Sequence, residues 1–216
     1  MLNIQEYIEK NINDFKKDTL SLDQFLTGTR TSYSFFKNKY PEILKEFDNK
    51  ERSTEEIEGM KIFESLQESV STYELEIYKY CFINLIARTD AFLNDIAKSI
   101  YLWKKPSLEE EKREKIILRF SHSSFSDKLK HLEKEFDLIF PDIEKWKASI
   151  IELFSTRNII LHNNGLVNKT YLKINEDSKL NIGDKRVIDE EYLKFTFVLM
   201  IIISKSIEEQ VLIKIN

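Results

Sequence analysis

Four glycines and three prolines are all that 216 residues contain. Glycine opens the left-handed backbone conformations that tight turns need, and proline punctuates regular structure. A chain this poor in both has little material for strand turns or flexible linkers. Charged residues make up 32% and hydrophobic residues 42%, a balance suited to helices that each carry one apolar stripe. The predicted fold is all-α: a helical bundle with one short loop or β-hairpin insertion between the last two helices.

Local signals place the helices. Ser53-Thr54-Glu55-Glu56 offers an N-cap with a glutamate three residues on, a capping box. Pro41 and Pro141 each precede an acidic residue and a periodic run, as expected of proline in a first helical turn. Helices are predicted over about 3–17, 21–38, 42–48, 54–72, 73–103, 107–119, 126–137, 142–163 and 189–213. The break near 69–72 is open, since 54–103 also reads as one helix. Ile77, Phe82, Ile86, Leu93, Ile96 and Ile100 recur at spacings that share one broad buried face. Between Leu166 and Asp189 the periodicity stops and Gly183-Asp184 marks a turn. The simplest division is an N-terminal helical extension, 1–53, packed on a helical domain, 54–216.

Charge and cysteine usage narrow the partners. A formal net charge of −4 supplies no global basic field to draw the chain to nucleic acid. The 33 Lys and Arg residues are nonetheless enough to line a local groove. The single cysteine, Cys81, allows no disulfide within the chain and reads as a small buried hydrophobe in a reducing compartment. The N-terminus shows no secretory pattern. The most apolar run, 195–203, is far short of the about 20 residues that span a membrane. The expectation is a cytoplasmic protein, with no membrane partner and no evident metal or cofactor cluster.

The richest segment is Arg157-Asn158-Ile159-Ile160-Leu161-His162-Asn163-Asn164-Gly165. Arginine is permanently charged and can grip a phosphate with two parallel hydrogen bonds. Histidine titrates near neutrality and can give or take a proton. A proton-transfer group beside a phosphate clamp is the minimum equipment for cleaving RNA without a metal. On a helix, Asn158 and His162 lie about 40° apart and face the same way, whereas Arg157 and His162 lie about 140° apart. The spacing therefore makes more sense in a dimer, where two antiparallel copies of the helix would gather two Arg and two His around one cleft. Gly165 reads as the residue that ends the helix in a left-handed turn. His162 then falls in the last turn, where the helix dipole favours imidazolium. Of the other histidines, His122 sits in a Ser121-His122-Ser123-Ser124 loop whose serines could contact phosphate, and His131 reads as part of a solvated face; neither is expected to be catalytic.

The same residues, with Leu166-Val167, Tyr171-Leu172 and the later Gly183-Asp184 before Tyr192-Leu193, resemble the signature helix of the HEPN superfamily: Arg, a polar residue, a few mostly apolar residues, then His. Upstream, Leu85-Ile86-Ala87-Arg88-Thr89-Asp90 stands where such proteins carry an acidic residue on an early core helix. The resemblance spans roughly 73–213. It implies an all-α bundle, usually dimeric, that often acts as a metal-independent endoribonuclease in toxin–antitoxin or abortive-infection systems. It implies Arg157 and His162 as catalytic residues, with Asn158, Asp90 and Asn163 in support. Asp90 would anchor Arg157 from the neighbouring helix, although it stands where glutamate is commoner and is shorter by a methylene. The implied partners are an RNA substrate, a second copy forming a composite site, and a cognate antitoxin or regulatory protein. The alternative is a non-catalytic module of the same kind that binds nucleotide, RNA or a protein.

Overall fold

A computed structural model describes residues 4–47 and 53–215. Among these residues the fold is all-α, with seven helices in chain order: α1 (Ile4–Phe47), α2 (Thr54–Lys104), α3 (Glu110–Ser121), α4 (Phe125–Phe136), α5 (Pro141–Asn163), α6 (Lys169–Ile174) and α7 (Glu190–Ile215). Among the described residues no strand forms, and a single antiparallel bridge joins Leu166 to Lys185.

α1 is longer than local signals suggest, while α2 takes the single-helix reading of 54–103. Predicted breaks after about residues 17 and 38 are absent, and α1 continues through Pro41. An interior proline removes one backbone hydrogen bond and costs about 3 kcal/mol, a local loss that a 44-residue helix absorbs without ending. α2 likewise runs unbroken through 69–72. At about 1.5 Å per residue the pair measure about 66 and about 77 Å. They pack antiparallel: Asn11 donates to the Ser99 hydroxyl at 3.1 Å, Phe15 stacks on Phe92 with centroids 4.5 Å apart, and Asp18 pairs with Arg88 at 2.9 Å.

One core joins these helices to the rest. Ile8, Ile12 and Phe15 of α1, Phe82, Leu85, Ile86, Leu93, Ile96 and Ile100 of α2, and Leu199, Met200, Ile203 and Ile207 of α7 belong to the same buried cluster. Each such side chain contributes roughly 1.5–3 kcal/mol by leaving water. Of the face predicted on α2, only Ile77 stays partly open. The first half of α1, from Ile8 to Leu26, is thus tied into the common core. Cys81 is buried there too, and burial pushes its thiol pKa up.

α7 is apolar on more than its core side. Phe195, Val198 and Ile201 remain exposed on its outer face, and Trp146 meets the Phe195 ring at 6.0 Å. No helix among the described residues is long and apolar enough to cross a membrane. The insertion between α5 and α7 is a loop, as expected, but it contains the short helix α6, capped by Asn168, whose side chain accepts from the Tyr171 N–H at 2.9 Å.

Candidate functional site

α5 carries the predicted motif and is bounded as its sequence suggests. Pro141 occupies the first turn. The left-handed exit takes in two residues, Asn164 at φ 50° and Gly165 at φ 76°. The Gly165 N–H reaches back to the Ile159 carbonyl at 2.9 Å, and the Asn164 N–H bonds the same carbonyl, so a carbonyl left without a helical partner is satisfied at the left-handed exit. Asn163, expected to support catalysis, donates its side-chain amide to the Leu166 carbonyl at 2.6 Å and closes the turn. The Arg186 N–H to the Gly165 carbonyl at 2.8 Å and the Val167 N–H to the Asp184 carbonyl at 2.9 Å then pin the insertion beneath the helix end.

Two clefts flank α5, of about 730 Å³ and about 710 Å³, and Ile151 and Ile174 border both. The first holds Arg157 and Asn158 from α5, Asp90 from α2 and the α3–α4 turn from Ser121 to Ser126. Arg157 is partly buried, and its Nη1 donates to Asn158 Oδ1 at 3.3 Å. Among the described residues no carboxylate pairs with it.

One expectation fails here. Asp90 does not anchor Arg157: its Oδ1 accepts from Lys128 Nζ at 2.6 Å. The reason lies in α4, which packs against α2 and brings in a lysine whose side chain is wholly buried. A buried ammonium demands an acidic partner, and Asp90, with Asn94 at 3.0 Å, meets that demand. His162 is exposed and does not line the cleft; it lies one helical turn beyond Asn158. Within one chain the fold brings Arg157, Asn158 and Asp90 together and leaves His162 outside.

In its place the cleft holds His122. The turn that carries it is tightly wired. Ser121 and Ser123 hydroxyls donate to the Leu118 and Arg119 carbonyls at 2.8 and 2.9 Å. Ser124 caps α4, accepting from the Asp127 N–H at 3.2 Å and donating to Asp127 Oδ2 at 2.6 Å. Those three hydroxyl protons are therefore spent inward and are not free to donate to a phosphate. The Phe125 and Ser126 amides, which open α4, have no acceptor one turn back. His131 also differs from expectation. Its Nε2 lies 2.7 Å from the Tyr101 hydroxyl, its ring packs against Phe120 and Phe136, and burial lowers its pKa.

The second cleft is bordered by a cluster that no local motif announces. Glu152 accepts from the Tyr171 and Tyr192 hydroxyls, both at 2.6 Å, and from Thr156 at 2.9 Å, with Arg186 Nη2 at 3.2 Å. The Arg186 guanidinium sits 4.2 Å from the Tyr192 ring centroid. Burial first, and the Glu152 carboxylate second, push the Tyr171 pKa up to about 12; the same two causes raise Tyr192 further. The cluster fixes α5 against the insertion and α7 one turn before Arg157. Only the i, i+4 pair Glu152–Thr156 was visible as a local signal, because the remaining partners are distant in sequence.

Among the described residues no three His, Cys, Asp or Glu side chains gather as a metal site. Compared with family models, curated proteins and solved structures, the chain matches none.

Proposed function

We propose that the protein is a metal-independent endoribonuclease, a toxin or antiphage effector that leaves 2′,3′-cyclic phosphate and 5′-hydroxyl ends. The observation that carries this reading is Arg157: a partly buried guanidinium without a carboxylate partner among the described residues, lining a cleft of about 730 Å³ beside Asn158. A cation so placed is suited to hold the non-bridging oxygens of a phosphodiester and to stabilise charge on the phosphorane. The ribose 2′-oxygen attacks phosphorus and the 5′-oxygen departs. His162 serves as acid or base. Because it stands outside its own chain's cleft, it acts in a homodimer, reaching the Arg157 of a second copy. The exposed Phe195, Val198 and Ile201 stripe supports self-association, since an apolar patch of this kind favours an interface.

Complementation tests this reading. His162→Ala and Arg157→Ala proteins are each expected to be inactive on RNA in EDTA, while their mixture recovers about a quarter of wild-type cleavage, half the dimers holding one intact site of two. Two inactive variants that stay inactive when mixed would remove the composite site. The second reading, a non-catalytic module binding RNA or nucleotide, draws on the exposure of His162. It predicts oligonucleotide affinity with no turnover by wild type.

A further inference from the structure

We propose that His122 is a second proton-transfer residue of the Arg157 cleft, an inference that rests on the ribonuclease reading above. In-line displacement puts the attacking and leaving oxygens on opposite sides of phosphorus, so two protons move at separate places. One leaves the 2′-hydroxyl as the O2′–P bond forms; the other reaches the 5′-oxygen as the P–O5′ bond breaks. A neutral histidine accepts the first and an imidazolium supplies the second. No co-reactant is consumed, and the pair ends with its protonation states exchanged.

The three histidines differ in their fitness for this work. His131 is engaged by Tyr101 at 2.7 Å and enclosed by aromatic rings. His162 lies outside the cleft lining. His122 lines the same cleft as Arg157, its side chain is exposed, and its ring makes no hydrogen bond among the described residues. Its backbone, in contrast, is held. The His122 N–H bonds the Leu118 carbonyl at 3.4 Å, the Ser123 N–H bonds the Phe120 carbonyl at 3.0 Å, and the flanking serine hydroxyls tie down the turn. The ring is thus carried on a held backbone at the cleft wall, with both of its nitrogens left to bond a substrate.

The charges around it favour a phosphodiester. Asp90 faces the cleft but is matched by Lys128 at 2.6 Å. Asp127 accepts from the Ser124 hydroxyl. Arg157, which lines the cleft, has no counter-charge among the described residues. The opening turn of α4, a 12-residue helix, adds its partial positive charge at the cleft wall. A phosphate held by Arg157 therefore lies in a cleft that His122 also borders, and the second copy's His162 supplies the other proton-transfer group.

The test uses the full chain, wild type beside His122→Ala, on a labelled RNA. Affinity is measured on the same oligonucleotide with a 2′-deoxy residue at the cleavage position, which binds without reacting. His122→Ala is expected to lose at least about 100-fold of the cleavage rate while thermal midpoint and affinity stay at wild-type values. Free imidazole in the buffer is expected to restore cleavage in proportion to its concentration, which a merely structural defect would not allow. Wild-type cleavage by His122→Ala, or a loss that imidazole does not touch, overturns the assignment while the ribonuclease reading stands. An inert wild type removes both.

Discussion

Removing the carboxylate of Asp90 strands the ammonium of Lys128. That lysine side chain is 0% exposed, with Asn94 Oδ1 at 3.0 Å and the Phe120 ring 5.3 Å away as its other company. Breaking a fully buried ion pair from one side costs about 3–5 kcal/mol. Asp90 is 39% exposed, so water can enter the vacated volume and solvate part of the charge. The expected cost of Asp90→Ala is therefore smaller, about 2–3 kcal/mol, or a fall of roughly 4–12 °C in Tm for a chain this size. Lys128→Met in the same protein takes away the stranded charge and keeps the chain volume. The double variant should return to within about 1 kcal/mol of wild type. Urea titration with matched slopes measures both values. The logic fails if Asp90→Ala unfolds like wild type, or if the double variant is no better than the single. Cleavage adds a second readout: where Asp90 serves only to neutralise Lys128, the double variant cuts RNA as wild type does.

Other perturbations probe the remaining framework. Tyr192→Phe deletes a 2.6 Å hydrogen bond to the Glu152 carboxylate and should cost about 1–2 kcal/mol by denaturant titration; no cost would mean that the cluster does not hold α5. Asn164 carries φ 50°, so Asn164→Ala should destabilise by about 1 kcal/mol while Asn164→Gly is neutral or better. Equal behaviour of the two would refute a strained turn. Burial holds His131 below its ordinary 6.5, so the unfolded chain binds that proton more readily. Stability from this site is full above about pH 6.5 and is lost as the pH falls below it. His131→Gln should flatten that part of the urea-midpoint profile, and an unchanged slope would place the pH dependence elsewhere.

What could be read from the sequence followed from short-range chemistry. Scarce glycine and proline imply an all-helical chain, and the Phe82 to Ile100 periodicity marks a face that is buried. Pro141 begins a helix as predicted, but Pro41 looks the same in sequence and lies inside one; proline's local cost does not reveal whether a long helix can absorb it. At the site, Arg157 and Asn158 were legible because adjacent helical residues reach the same cleft. The Asp90 partner was not, since the deciding residue is Lys128 on α4, which meets α2 only through tertiary packing. His122 carries no local signal beyond its loop; its relevance comes from α3–α4 folding back onto α5. The Glu152 cluster escaped for the same reason.

Metal-free RNA cleavage in the Arg157 cleft is the proposal on which the His122 and His162 roles depend. Its most direct test is incubation of total RNA and purified transfer RNA with the full chain in EDTA, wild type beside Arg157→Ala, with product ends assayed for cyclic phosphate. Wild type should release fragments ending in 2′,3′-cyclic phosphate, and the variant should lose about 10²–10³-fold of that rate. Uncut RNA with wild type, or equal cleavage by both proteins, would contradict it.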